Sequence, residues 1–212
     1  MYRLSPVVMI QDSKHVATTL RNNLFSGARA LVIGNHLAMY SYVRDMVFTT
    51  IPGSPLYHRD VEKLDRQDDN AATHLFSAAS LDFVINQIPN CLGLTVYLFV
   101  MGETIDVYQS WTIFHLERIK MVLRCRYFLR LWKRFLSVAG YPQSRYHISR
   151  EANNILNTII DGLIGLIYIY QDHLGKQRYP FLPWLHSTEI CEHVFAECRK
   201  MVKTSPILTS CI

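Results

Sequence analysis

Residues 186–195 have the residue types and spacing that are best suited to chemistry in this chain. Apolar residues recur from there at three- to four-residue spacing, and Ser187 precedes them, which predicts an amphipathic helix with Ser187 as its N-cap. Glu189 falls in the first turn, and Glu192 lies at the margin of the apolar stripe. A carboxylate at that margin permits a metal ligand without requiring one, and a Glu in such a segment is more often a solvated residue on the flank of a helix.

A second carboxylate with a special position lies near the other end of the chain. The apolar run at residues 6–11 is typical of a short strand that is buried on both faces, and it ends at Asp12. From Ser13 the apolar residues follow a helical period, so Asp12 lies where a strand meets a helix, which is where open α/β sheets bind ligands. The competing interpretation of Asp12 is an ordinary helix N-cap, a position that favours Asp.

The composition is that of a folded intracellular protein. The chain has 212 residues, of which 50% are hydrophobic and 18% charged, so general disorder is excluded and one good-sized core is expected. The five cysteines are odd in number and have no Cys-x-x-Cys spacing, which favours a reducing compartment over a disulfide framework or a zinc ribbon. The most apolar runs are too short for a membrane span or contain polar residues, so we expect buried helices there and no membrane partner.

One segment of the chain concentrates positive charge without any acid among the cations. This pattern is typical of a helix face that contacts the phosphates of a nucleic acid, but it does not distinguish such a face from a merely solvated one. The alternative is a solvated face whose long side chains cover apolar neighbours. The residues concerned are Arg118, Lys120, Arg124, Arg126, Arg130, Lys133 and Arg134.

The remaining pattern predicts a mainly α fold with two short strands. Residues 30–34 form the second apolar run that is typical of a strand, and the strand signals stop after it. Helices are predicted over residues 35–49, 60–86, 105–138 and 148–172, and a proline-rich segment then leads to the helix that contains Glu192. A long helical block is thus expected between the strands and a closing helix.

Two segments resemble the transposases of the P-element and hAT-like group, whose catalytic domain is an RNase H-like fold interrupted by a large helical insertion. Asp12-Ser13-Lys14-His15, followed by Arg21-Asn22-Asn23, is similar to the D-x-x-H and R-N-N segment that carries the second catalytic Asp after the fourth strand. Residues 187–195 resemble the S-x-D/E-x-x-E-x-x-F segment that carries the final catalytic Glu. Residues 66–77 look like the segment that opens the insertion, so the resemblance extends over nearly the whole chain.

The resemblance implies both a domain organisation and a site. Residues 1–34 would form a partial RNase H-like core, residues 35–183 the helical insertion domain, and residues 184–212 the closing helix of the core. Asp12 and Glu192 would be catalytic carboxylates that bind Mg²⁺ or Mn²⁺, with His15 and Glu189 supporting them, although an ordinary helical role suits His15 equally. DNA would be the substrate and the nucleus the location, and GTP is a further cofactor that relatives of the P-element type use.

The sequence also departs from the family pattern. The first catalytic Asp should lie well before Asp12, and residues 1–11 contain no acid. We therefore expect weak metal binding and little or no strand transfer by this polypeptide alone. The sheet would lack its first strands, so a partner or a second copy is expected to cover the exposed edge. The alternative function is a non-catalytic helical module that binds DNA or another protein.

Overall fold

A computed structural model of the chain describes residues 7–48, 52–62, 65–88, 90–174 and 180–204. Within these ranges the protein contains ten α-helices and one antiparallel sheet of two short strands. The predicted mainly α fold with a small sheet is therefore confirmed.

The helices and strands follow one another in a simple order. They are α1 (Ser13–Phe25), β1 (Leu31–Ile33), β2 (His36–Ala38), α2 (Tyr40–Phe48), α3 (His58–Val61), α4 (Asp69–Leu75), α5 (Ala78–Gln87), α6 (Leu92–Gln109), α7 (His115–Val138), α8 (Gln143–Tyr146), α9 (Arg150–Ile169) and α10 (Glu189–Thr204). A π-helical turn at Tyr170–Leu174 extends α9, and a 3-10 turn at Pro183–Leu185 precedes α10.

The two strands form a tight hairpin. Ile33 pairs with His36, so only Gly34 and Asn35 make the turn. Gly34 has a φ of +59°, which glycine adopts without steric cost, and a glycine at the first central position is typical of the turn that matches the twist of a hairpin. The prediction of a helix from Asn35 was wrong for the first residues, because the turn pairs them with β1 and α2 begins only at Tyr40.

The strand predicted at residues 6–11 is not formed in its described part, residues 7–11. These residues belong to no sheet, and burial alternates along them: Val7 and Met9 are exposed, whereas Val8 and Ile10 are half-buried. They lie along α9, where a Cβ on Gly162 would come within 2.8 Å of the Met9 carbonyl oxygen and a Cβ on Gly165 within 3.0 Å of Val8. The segment therefore has one buried face and not two, because a helix covers it and no neighbouring strand does.

Two long predicted helices are in fact broken. The helix predicted over residues 60–86 divides into α3, α4 and α5, because the side chains of Asp68 and Ser77 accept N-cap hydrogen bonds that start α4 and α5. The helix predicted over residues 105–138 divides at Ser110, where α6 has ended and α7 has not begun. The helix predicted over residues 148–172 is confirmed as α9 with its π-helical extension.

The core lies among α1, α6, α7 and α9. Helices α6 and α9 each pack against both α1 and α7. Two buried tyrosines join these layers: Tyr97 donates a hydrogen bond to the Leu20 carbonyl oxygen, and Tyr108 donates one to the Ile159 carbonyl oxygen. Apolar side chains from both sides of the expected domain boundary at residues 34/35 belong to this one core. The boundary itself stays a prediction.

Within the part of the chain that the structure describes, one helix is long and apolar enough to cross a membrane by length and composition alone. It covers Arg150–His173, and half of its most apolar window is buried inside the fold. The core helix of an ordinary folded protein passes the same test, so a single such helix is weak evidence. The described residues do not have the pattern of a clear membrane protein.

Candidate functional site

Asp12 lies directly before α1 and caps that helix. Its backbone is extended, and its Oδ1 accepts a hydrogen bond of 2.9 Å from the Lys14 amide. This is the N-cap role that its position favoured. The cap uses only one of the two carboxylate oxygens, so Oδ2 can contact a distant part of the chain.

Oδ2 of Asp12 contacts the start of α10, 176 residues further along the chain. The Thr188 amide donates to Oδ2 at 3.0 Å, and the Thr188 hydroxyl donates to the same oxygen at 2.8 Å. Thr188 precedes Glu189, the first residue of α10, so the helix begins one residue later than a Ser187 N-cap would place it. One aspartate therefore contacts the N-terminal ends of two helices, where a negative charge is favourable.

Glu192 reaches the same hydroxyl from the other side. Its Oε1 lies 3.1 Å from Thr188 Oγ1, as expected for residues four apart on one face of a helix. A hydroxyl has a single proton, which it donates to one acceptor at a time, while its lone pairs face the other. Asp12 and Glu192 are thus brought to two sides of one oxygen atom, from opposite ends of the chain.

Comparison with protein-family models, with curated proteins and with solved structures gives no match. The chemistry of this region must therefore be judged from its own residues.

The Asp12 carboxylate is ionised at neutral pH. Burial raises the pKa of this carboxyl, but hydrogen bonds from the Thr188 side chain, the Thr188 amide and the Lys14 and His15 amides outweigh burial, so the pKa lies below its ordinary value of 3.8. These bonds favour the charged form because each donor faces the carboxylate. The contact between α1 and α10 therefore depends on a negative charge at Asp12.

A cavity of about 440 Å³ opens beside the two acids, and we call it the acid cavity. His15 is exposed and lines it, as do Asp69 on α4 and His193 on α10. The side chain of Glu189, the other predicted supporting residue, lies outside the described residues. The acid cavity thus combines two carboxylates at close range with a hydroxyl between them and further ionisable groups around them.

The donor set suits a hard cation only in part. Carboxylate and hydroxyl oxygens are the ligand types that Mg²⁺ and Mn²⁺ prefer. Among the described side chains, however, no group of three His, Cys, Asp or Glu residues is arranged to hold a metal ion. Asp12 and Glu192 with Thr188 fit one weakly held cation better than two.

The basic segment on α7 is less available than its sequence suggests. Arg118 is 1% exposed, and its guanidinium donates to the carbonyl oxygens of Val107, Ser110 and Ile113, so it joins α6 to α7 and does not reach solvent. This buried arginine is also the physical reason for the helix break at Ser110, because it satisfies carbonyls that a continuous helix would pair internally. We therefore exclude Arg118 from any DNA-contacting face.

The other six cations of the segment differ in their partners. Arg124 pairs with Glu103, Arg126 with Asp161 and Lys120 with Glu117. Lys133 is half-buried, and burial lowers its pKa. Arg130 and Arg134 are exposed and make no ion pair within the described part of the chain. Of the seven predicted cations, these two are the best placed to contact a phosphate.

Thr188 is the functional residue that sequence reasoning missed. The family motif fixes Ser187, Glu189 and Glu192, and Thr188 occupies a position where the motif accepts any residue. The signal was present, since Thr is a common N-cap residue and Thr188 lies four residues before Glu192. Thr188 is neutral and does not belong to the pattern of carboxylates, so its place between the two acids was not predicted.

Proposed function

We propose that this chain is part of a transposase-type catalytic domain, in which Asp12 and Glu192 together hold a divalent cation next to DNA. The single observation that supports the proposal is the convergence of the two acids on Thr188, because they are 180 residues apart in sequence and meet within hydrogen-bond distance of one oxygen atom. Ordinary capping explains the contact of Asp12 with Lys14, but it does not require Glu192 to approach the same place. Such a protein would act in the nucleus.

Asp12, Glu192 and Thr188 Oγ1 would hold the cation in the acid cavity. A divalent cation supplies Lewis-acid stabilisation of the charge that develops on phosphate oxygens, and it activates the attacking oxygen. The chain's own residues do the rest: Thr188 holds Asp12 beside Glu192 through its amide and hydroxyl, and the hydrogen bonds to Asp12 keep it ionised at neutral pH. Two carboxylates and one hydroxyl supply few of the ligands that a divalent cation needs, so we expect weak binding and little strand transfer from this polypeptide alone.

The test is a Mn²⁺ titration of the full chain, followed by electron paramagnetic resonance of the free ion. Asp12→Asn and Glu192→Gln should each weaken Mn²⁺ binding by at least about tenfold, since even residues that only orient a metal ligand have effects of that size. Asp82→Asn, an exposed acid on α5, is the matched control and should change nothing. Equal Mn²⁺ affinity in all four proteins would contradict the proposal. Any Mn²⁺-dependent nicking of DNA should be lost with the same two substitutions.

A second candidate function is a non-catalytic module that binds DNA through α7. The observation in its favour is that Arg130 and Arg134, one turn apart, both face solvent, with Tyr127 exposed beside Arg130. A salt titration of DNA binding distinguishes the two functions. If α7 is the contact surface, replacing both arginines by Glu should reduce affinity and salt dependence, and Asp12→Asn should leave both unchanged.

A further inference from the structure

A second cavity lies along α1, beyond the acid cavity. It has a volume of about 420 Å³, and His15 lines both cavities. Polar residues of α1 continue along it from His15 through Thr19 and Asn22 to Ser26. Their spacing of four, three and four residues places them on one face of the helix, over a length of about 16 Å at the rise of an α-helix. The two cavities thus share His15 and lie one after the other along α1, and we call the pair the α1 trough.

The far end of the α1 trough carries more positive than negative charge. Arg21, Arg29 and Arg66 line it, against Asp65 and Glu151. At the acid cavity the balance is opposite, since Asp12, Asp69 and Glu192 face a single lysine, Lys14. The trough thus has an acid end, suited to a cation, and an arginine end, suited to an anion.

The three arginines at this end play different parts. Arg21 is 1% exposed and its guanidinium donates to the carbonyl oxygens of Asp60 and Asp65, so it contributes charge to the wall but no accessible donor. Arg29 uses one nitrogen, Nη1, to reach the carbonyl oxygens of Ser144 and His147.

Arg66 is exposed in the turn before α4. Only its backbone carbonyl is engaged, by the Asn22 amide, and its side chain makes no hydrogen bond or ion pair within the described residues. Among the residues that the structure describes, its guanidinium is unpaired in this cavity, and that of Arg29 is partly so.

We propose that the arginine end of the α1 trough binds the phosphodiester backbone of a nucleic acid strand, and that another phosphate of the same strand, further along it, lies at Asp12 and Glu192. The choice of nucleic acid rests on the proposed function, and the position of the contact rests on the cavity and its charges. Guanidinium groups bind phosphate oxygens in a planar, paired geometry. Glu151 lies against the same ligand and weakens its binding. This contact surface is distinct from the exposed arginines of α7.

The experiment is the binding of a fluorescent single-stranded oligonucleotide to the full chain, measured by anisotropy in EDTA over a range of salt concentrations. Arg66→Glu should weaken binding roughly fivefold or more and lower the salt slope by about 0.7, the value for one phosphate contact on a single strand. Glu151→Gln should strengthen binding, because it removes the opposing charge. Arg44→Glu, an exposed change on α2, is the matched control and should have no effect. Arg66→Gln, checked for an unchanged melting temperature, separates loss of the contact from a folding defect.

The signs of the results decide the outcome. Opposite effects of Arg66→Glu and Glu151→Gln, with Arg44→Glu unchanged, support the proposal. Any of three results would overturn it. Arg66→Glu and Arg44→Glu could weaken binding equally, Glu151→Gln could fail to strengthen binding, or Arg130→Glu could weaken binding while Arg66→Glu does not. Equally tight binding of poly-glutamate, measured by competition, would also overturn it, because the trough would then be a site for acidic peptides. EDTA makes the result independent of the Mn²⁺ titration, so failure of the metal site and failure of the trough are separate findings.

Discussion

The body of the fold, which we define as α1, α6, α7 and α9 with the residues packed on them, and helix α10 are held in place by different forces. In the body, α6 and α9 bury apolar side chains on two sides, against α1 and against α7. On α10 the described side chains from Cys191 to Lys200 are exposed, apart from half-buried Ala196, and Phe195 is 63% exposed. In the described part of the chain, the hydrogen bonds that join the start of α10 to the start of α1 centre on Thr188. The stability of the fold therefore lies in the body, and the candidate chemistry lies at a polar junction.

This difference has a consequence for function. A junction made of a few hydrogen bonds opens at much lower cost than a packed core, because partly exposed polar bonds contribute little net free energy. Changes at the junction should thus alter the site while the body stays folded. Changes in the body should unfold both together.

The largest expected effect is the loss of a core side chain. Leu98 is 2% exposed on α6, and Leu98→Ala should lower the free energy of unfolding by about 2–5 kcal/mol, because it leaves a cavity among packed helices. Phe195→Ala on α10 removes a larger side chain and should cost less than about 0.5 kcal/mol, because that ring is already in water. Urea unfolding followed by circular dichroism measures both. Equal losses would mean that α10 is packed as firmly as the body.

Arg118 provides the next test of the body. Arg118→Met keeps an unbranched apolar stem but removes the guanidinium, and it leaves three carbonyl oxygens without their donor. The free energy of unfolding should fall by at least about 2 kcal/mol, since a buried polar group without a partner costs about 1–3 kcal/mol. Arg130→Met, at an exposed position of the same helix, should change it little. Reduced DNA binding by Arg118→Met with unaltered stability would show that Arg118 does contact the ligand.

His147 should make the body sensitive to mild acid. Burial, together with Lys133 and Arg29, lowers the pKa of this histidine from 6.5 to about 4, although its hydrogen bond with the Ile148 carbonyl opposes the shift. The unfolded chain then takes up the proton first, so stability should fall as the pH falls from about 6.5 to about 4, by up to about 1.4 kcal/mol per pH unit.

His147→Phe keeps a ring against Trp132 and should flatten this part of the stability curve. The stability that Asp12 contributes is lost at lower pH, below 3.8, because hydrogen bonds lower the pKa of this carboxyl in the folded protein. It is lost only as the pH falls through that lowered pKa. Urea unfolding at successive pH values separates the two groups. A wild-type curve that is already flat between pH 6.5 and 4 would contradict the assignment to His147.

The smallest effect on stability is expected at the junction. Thr188→Val removes the hydroxyl bond to Asp12 and keeps the size of the side chain, so global stability should change by less than about 1 kcal/mol. Hydrogen exchange at the amide of residue 188 should become about fivefold faster, because α10 separates from Asp12 more often. Thr188→Ser should restore slow exchange, and Thr73→Val, which removes an exposed hydroxyl bond within α4, serves as the control. If exchange at residue 188 is unchanged in the valine variant, the hydroxyl does not hold the junction.

The same contrast explains what the sequence could predict. Apolar spacing predicted α9 and α10, and the residue types at positions 12 and 13 predicted where α1 begins, because these signals are local. The break before α7 depends on Arg118 reaching carbonyls at the end of α6 and in the link that follows it, and the unpaired state of residues 7–11 depends on α9 covering them. Both are tertiary contacts that no local pattern contains.

The candidate site was likewise predictable from sequence only where its signals are local. Asp12 and Glu192 were each identified by position, with an ordinary structural role as the competing interpretation of each. Asp12 does cap α1, and it also contacts α10, because a carboxylate has two oxygens and the cap uses one. Thr188 was missed because its part is visible only when both acids are in place. The resemblance to transposases stays a prediction.

The central claim is that Asp12 and Glu192 act as a pair across Thr188, and a double-mutant cycle on Mn²⁺ affinity tests it most directly. The affinity is measured for the wild type, Asp12→Asn, Glu192→Gln and the double variant. We predict that each single change abolishes most of the binding and that the double change adds little, because the two carboxylates share one cation. Additive losses, or losses no larger than that of Asp82→Asn, would contradict the account.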